Sequence, residues 1–213
     1  MNRLRISEIF YSLQGETRTV GLPTVFIRLT GCPLRCQYCD TAYAFHGGRY
    51  MDIPSILEKV KSYAARYVTV TGGEPLAQKH CLELLSALCD CEYEVSLETS
   101  GAISLEEVDQ RVVKVLDIKT PGSCEVDKND WENFKFMQSH DQIKFVICDK
   151  KDYEWSKSIL KQYNLYQVAQ ILFSPSYEQL SSAQLADWIL NDKLNVRFQL
   201  QMHKTIWGDV PGK

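Results

Sequence analysis

No apolar run in this sequence approaches the roughly 18–20 residues that span a bilayer, and no basic-then-apolar leader of a secretory signal is present. Internal repeats, low-complexity tracts and a linker-like stretch are also missing, so a solenoid or a disordered chain is excluded and one domain over residues 1–213 is expected. Nor is there an excess of positive charge. With 24 Lys and Arg against 27 Asp and Glu, the formal net charge of −3 argues against a nucleic-acid partner, though not against a small anionic or zwitterionic ligand. A membrane partner is not expected, and a cytoplasmic location is the default.

What is there suits an ordinary globular protein: 45 % of residues are apolar and 24 % charged, and 213 residues can bury a sizeable core. Without a secretion signal, the 8 Cys read as reduced thiols rather than a disulfide framework. Cys81, Cys89, Cys91, Cys124 and Cys148 are scattered and read as small core or boundary residues, although the spacing of Cys89 and Cys91 would let both face one metal.

Short apolar strands alternate with amphipathic helices. Strands are expected at Val25–Thr30, Tyr67–Thr71, Glu94–Glu98, Val113–Asp117, Gln142–Ile147, Gln170–Ser174 and Val196–Gln201, with strand-like alternation already between Met1 and Phe10. Helices are expected at Pro54–Arg66, His80–Cys89, Asp152–Tyr163 and Ser182–Leu190. Asp52 caps the first of these, Ser181 or Ser182 the last, and Ser104 with Glu107 forms a capping box before a further short helix. This order predicts an α/β fold with mostly parallel strands, as a partial or complete barrel or else an open doubly wound sheet. Either would place ligands at the C-terminal ends of the strands.

Chemistry concentrates just after the strand Val25–Thr30. Three Cys stand in Gly31-Cys32-Pro33-Leu34-Arg35-Cys36-Gln37-Tyr38-Cys39-Asp40. Thiolates are soft ligands that suit an iron–sulfur cluster or zinc. A structural zinc would need a fourth ligand, for which His46 is the nearby candidate. A four-iron cluster on three Cys instead leaves one iron open. A second signal, Thr71-Gly72-Gly73-Glu74-Pro75, closes the next parallel strand, where paired Gly let backbone approach a ligand. Arg28 is the one charge in an apolar strand, which places it either in the barrel or at a solvent-facing edge.

The C-x3-C-x2-C loop followed by Gly-Gly-Glu-Pro resembles the radical SAM superfamily, named for S-adenosylmethionine. The opening Ile9-Phe10-Tyr11-Ser12-Leu13-Gln14-Gly15-Glu16, then Phe26-Ile27-Arg28-Leu29, Cys39-Asp40-Thr41 and Leu200-Gln201-Met202-His203-Lys204 resemble the 7-carboxy-7-deazaguanine synthases, over nearly the whole chain. That resemblance implies a partial or modified radical SAM barrel. It also implies a carbon–nitrogen lyase that turns 6-carboxytetrahydropterin into 7-carboxy-7-deazaguanine with loss of ammonia, on the route to queuosine. The implied cofactors are a 4Fe–4S cluster, SAM and Mg²⁺. The implied partners are a flavodoxin- or ferredoxin-type electron donor and a second copy of the chain in a homodimer.

Site roles follow from the resemblance. Cys32, Cys36 and Cys39 would bind the cluster and Thr41 would ligate Mg²⁺, although a Thr there also reads as a cap for the next segment. Gln37, Tyr38, Cys39, Asp40, Gly73, Ser100, Asp117, Ile118 and Lys119 would contact SAM, with Ser174, Pro175, Ser176 and Tyr177 at its adenine end. Leu13, Gln14, Gly15, Glu16, Arg28, Thr71, His203 and Pro211 would contact the substrate, Arg28 through its carboxylate. Two departures stand out: the short form of the Cys loop, and Asp117-Ile118-Lys119-Thr120-Pro121 where some members carry another motif. The competing readings are another small radical SAM enzyme such as a glycyl-radical activase, and a non-enzymatic zinc or iron–sulfur module.

Overall fold

The computed structural model describes residues 2–208, 210 and 212. Its strands are β1 (Arg3–Leu13), β2 (Pro23–Leu29), β3 (Arg49–Asp52), β4 (Tyr67–Gly72), β5 (Glu94–Thr99), β6 (Val113–Ile118), β7 (Gln142–Ile147), β8 (Gln170–Pro175) and β9 (Arg197–Phe198). The helices are α1 (Ile53–Lys61), α2 (Cys81–Asp90), α3 (Lys150–Gln162), α4 (Ser182–Asn191) and α5 (Met202–Trp207). One sheet holds all nine strands in the order β3-β1-β2-β4-β5-β6-β7-β8-β9. From β2 to β9 every neighbouring pair is parallel, while β1 runs antiparallel to both β2 and β3. The strands end at β3 and β9 without closing, so the fold is a partial barrel.

The two faces of the sheet differ in chemistry. Ile27, Val70, Leu97, Leu116, Phe145 and Phe173 join the helix residues Ile56, Leu84, Leu85, Tyr153 and Leu185 in one apolar core. The opposite face presents Arg28, Thr71, Glu98, Asp117, Lys144 and Ser174 to a cavity. A doubly wound sheet would bury both faces under helices, so the barrel expectation holds and that alternative is set aside.

Capping follows the sequence in part. Asp52 accepts from Ser55 N at 2.9 Å to start α1, and Asp149 accepts from Asp152 N at 2.9 Å to start α3. Ser181 precedes α4 without a side-chain cap bond. The helix expected after Ser104 and Glu107 is absent; residues 101–112 run as turns. Asn133 explains this: it donates to the carbonyls of Gly101 and Ile103, both at 3.0 Å, and accepts from Leu105 N at 2.8 Å. A turn held this way satisfies backbone groups that a helix would otherwise need, and it still buries Leu105, Val108 and Val112. The connection from β6 to β7 also lacks an α-helix; 3-10 turns stack Trp131 on Tyr163 and tilt Phe134 against it, with ring centroids 5.1 Å apart in each pair. The last strand shrinks from the expected Val196–Gln201 to two residues.

Candidate active site

The Cys loop is held on all sides before any ligand is considered. Gly31 N donates to Ala44 O at 2.8 Å, and its own carbonyl accepts from Glu74 N at 2.8 Å. Cys39 N donates to Cys36 O at 3.2 Å, and Leu34 N to Cys32 Sγ at 3.4 Å. Arg35 donates through Nη1 to the carbonyls of Cys32 and Leu34, both at 2.7 Å, and lies over the Phe45 ring at 4.3 Å. Its amide donates to Glu125. Gln37 N donates to Ser123 O at 3.1 Å, and its side-chain amide pairs twice with Gln179. Cys32, Cys36 and Cys39 are free and all line the cavity. Burial pushes the Cys36 thiol up to about 11 and raises Cys32 as well. Metal binding in this loop therefore displaces protons.

The Gly-Gly-Glu-Pro turn is fixed by its carboxylate. Glu74 is fully buried and accepts from Leu76 N and Thr99 Oγ1 at 3.0 Å, from Ser100 N at 2.7 Å, and from Ser100 Oγ. It locks the end of β4 to the end of β5 and so orients the turn. Gly73 packs against the Cys loop: a Cβ there would meet the Gly31 carbonyl and stand 2.6 Å from Cys32 Cβ. That bare backbone shapes the cradle beside the three thiols.

The wall opposite is polar. Residues Gln14–Thr17, after β1, turn into the barrel. Gln14 Nε2 donates to Thr69 Oγ1 at 3.2 Å and to Glu98 Oε1 at 3.3 Å. Glu16 pairs with Lys144 and accepts from Gln201 Nε2 at 3.2 Å. Thr71 Oγ1 donates to Glu98 Oε2 at 3.0 Å. Burial, helped by the nearby Glu16 charge, raises the Glu98 pKa. Burial works against the Lys144 ammonium, but Glu16 and Asp117 outweigh it and hold the pKa above its ordinary value. Lys119 is shifted upward in the same way, chiefly by Asp117 at 3.1 Å. From the C-terminal side, Met202 N donates to Gly15 O at 2.9 Å, Lys204 Nζ lies 3.3 Å from Asp40, and burial lowers the His203 pKa, favouring the neutral ring.

Most of the residues expected at the site line this one cavity of about 340 Å³. They include Leu13, Gln14, Gly15, Glu16, Arg28, Thr71 and His203 on the substrate side. Tyr38, Asp40, Gly73, Ser100, Asp117, Lys119 and Ser174–Tyr177 come from the strand ends, with Thr41 beside Asp40. The Ile118 side chain stays out of the lining: it is 1 % exposed and packs in the apolar core, because neighbouring strand residues point to opposite faces. Gln37 also stays out of the lining and serves the Gln179 clasp instead. His46 is exposed and outside the lining. Pro211 lies outside the described residues. Cys89 and Cys91 join no metal-binding group among the described residues. Sequence reasoning missed Glu98, Lys144, Tyr43 and Gln201, all in the lining. The test applied to Arg28, a lone charge in an apolar strand, also picks out Lys144.

The donors fit an iron–sulfur cluster with SAM. No three His, Cys, Asp or Glu side chains among the described residues converge on a single-ion point, so a mononuclear zinc staple is not built here. Three soft thiols spread around one loop suit a larger cluster with an open side. Beside them, Tyr38 OH and Asp117 Oδ1 are buried without a hydrogen-bond partner in the described structure, which suits polar ligand atoms. Thr41 offers one hard oxygen, its hydroxyl donating to Asp40 Oδ1 at 3.0 Å.

Residues 26–117 match the Radical SAM superfamily. The 7-carboxy-7-deazaguanine synthase of Chlorobaculum tepidum is 44 % identical, the alignment covering 96 % of this chain and 94 % of that protein. The chain belongs to the 7-carboxy-7-deazaguanine synthase family. A synthase from Koribacter versatilis is 40 % identical, over 96 % of this chain and 97 % of its own length. The crystal structure of QueE from Escherichia coli shares the fold, with a TM-score of 0.78 over 94 % of this chain and 95 % of that one, at 22 % identity. Membership in the synthase family and the radical SAM superfamily implies a 4Fe–4S cluster and SAM as cofactors. No helix among the described residues is long and apolar enough to cross a membrane.

Proposed function

We propose that this single-domain chain converts 6-carboxytetrahydropterin to 7-carboxy-7-deazaguanine with loss of ammonia, using a cluster on Cys32, Cys36 and Cys39. The observation that carries the reading is the meeting of three free thiols, the Gly73 cradle and Arg28 in one cavity. Cys32, Cys36 and Cys39 would hold the cluster and leave its open side to SAM, and the pair would supply radical hydrogen-abstraction chemistry there. The protein's own groups bind and orient. Arg28 offers its terminal nitrogens to the substrate carboxylate. Gln14, Glu16, Glu98 and Thr71 offer donors and acceptors to the pterin edge. Lys144 pairs with Glu16 and fixes its carboxylate as an acceptor, and α5 excludes water by packing His203 against Gly15. Thr41 would hold Mg²⁺ through its hydroxyl, a hard oxygen donor that would help fix the substrate's charged edge. A homodimer, a flavodoxin- or ferredoxin-type reductant and a cytoplasmic location complete the reading.

Anaerobic turnover of 6-carboxytetrahydropterin with SAM, reductant and Mg²⁺, followed by mass spectrometry, tests it. The expected result is 7-carboxy-7-deazaguanine formed by the wild type and no 5′-deoxyadenosine from Cys36→Ala. An intact cluster that yields no deazaguanine would sink the substrate assignment.

A further inference from the structure

Arg28 lines the cavity, yet one of its nitrogens is already engaged. Its Nε donates to Glu8 Oε1 at 2.7 Å, and Tyr43 OH donates to the same oxygen at 2.7 Å. The rings of Phe10 and Tyr43 lie 5.8 and 5.9 Å from the guanidinium carbon. Glu8 is not part of the cavity lining; it stands behind Arg28. No described residue accepts from Arg28 Nη1 or Nη2.

Glu8 reaches this place through a β-bulge. Ile6 pairs with Leu29 and Glu8 pairs with Arg28, so three residues of β1 span two of β2 and Ser7 is the extra one. Cross-strand partners share a face, and consecutive residues of β2 alternate between faces. Leu29 sits in the apolar core and Arg28 in the cavity wall. Ile6 therefore faces the helices, whereas Glu8, two residues later, faces the cavity side. In a regular strand the two would share a face, and Glu8 would be driven against the helix layer.

We propose that Glu8 is the positioning residue for Arg28. With Tyr43 it holds the guanidinium through Nε, so that the two terminal nitrogens present a preformed fork to the ligand's carboxylate. The inference rests on the assignment of Arg28 to the substrate carboxylate. Because Glu8 offsets the Arg28 charge, the fork selects its ligand by paired N–H geometry more than by net charge. Holding the fork in advance removes the entropy cost of ordering it when ligand binds.

The test compares 6-carboxytetrahydropterin with tetrahydropterin lacking the 6-carboxylate. Both are titrated into reconstituted enzyme with SAM, and KM and kcat are measured for the carboxylated compound. The wild type prefers the carboxylated pterin. Glu8→Ala shrinks that preference by about tenfold or more, with KM moving further than kcat. Glu8→Gln, which keeps an acceptor for Nε, recovers part of it, and Tyr43→Phe loses less than Glu8→Ala. SAM affinity and the thermal midpoint separate positioning from a merely structural role. A Glu8→Ala enzyme with the wild-type preference overturns the inference alone, as does one that loses SAM and both pterins in equal measure. A wild type that binds the two pterins equally overturns the Arg28 assignment and the inference with it.

Discussion

Gly73 is the residue at which a single methyl group reports most directly on the site. The added Cβ of Gly73→Ala would press on the Gly31 carbonyl and on Cys32 Cβ at 2.6 Å, and neither can swing away, since both belong to the pinned Cys loop. The loop must shift while the apolar core stays intact. Iron content after anaerobic reconstitution should fall well below wild type, with far-ultraviolet circular dichroism unchanged; full iron loading would count against the cradle. Glu74→Ala acts through a different route. It strips the partners of Ser100 N, Leu76 N and Thr99 Oγ1 in a fully buried place, so stability should fall by about 3 kcal/mol or more, read by urea unfolding. Residues of these two kinds differ in how plainly the sequence marks them. The three Cys and the paired Gly are legible because their spacing is the chemistry. Glu98 is harder, because Glu94, Ser96 and Glu98 alternate with Val95, Leu97 and Thr99 just as they would on a strand with one wet face. Only the barrel's curvature makes that wet face a cavity.

Among the elements, the connection from β6 to β7 shows what local sequence leaves open. It carries turns in place of a helix, and its order comes from a residue of the next helix. Asp152, in the first turn of α3 and 1 % exposed, accepts from Gly122 N at 2.8 Å, Thr120 Oγ1 at 3.0 Å and Cys148 N at 3.0 Å. The same turn then offers Ser123 O to Gln37 N, inside the Cys loop. A helix-start Asp is visible in the sequence, but its reach across some 30 residues is not. For the same reason the expected helix after Ser104 gave way to Asn133, a partner distant in sequence. The bulge in β1 is partly legible: Leu4 and Ile6 keep a two-residue period that Ile9 breaks. Asp152→Ala should lower stability by about 2–4 kcal/mol in urea unfolding and speed amide exchange at Gln37. Asp152→Asn, which keeps one carbonyl acceptor, should lose less. Unchanged exchange at Gln37 would show that the Cys loop does not depend on α3.

Across the whole molecule, the sheet divides its labour by face, with stability on the helix side and charge on the cavity side. Glu8, Glu16, Glu98 and Asp117 stand against Arg28, Lys119 and Lys144 on or just behind one concave surface. Such a site makes folding depend on pH, and the contribution of Glu98 has a definite sign. Burial and the Glu16 charge raise its pKa, against the weaker pull of Lys144, Thr71 and Arg28. A carboxyl whose folded pKa lies above its unfolded value holds its proton more tightly when folded. Its contribution favours folding at low pH and is lost as pH rises from the ordinary Glu value of about 4.3 through the folded pKa. Glu98→Gln removes that titration while keeping an amide oxygen for Thr71 or Gln14. Relative to wild type, the variant should therefore gain stability as pH rises from about 4 towards neutrality, whatever its offset at the acid end. Paired urea-unfolding curves across that range measure the difference. A gap that stays flat with pH would mean that cavity water solvates Glu98 as well in the folded chain as in the unfolded one.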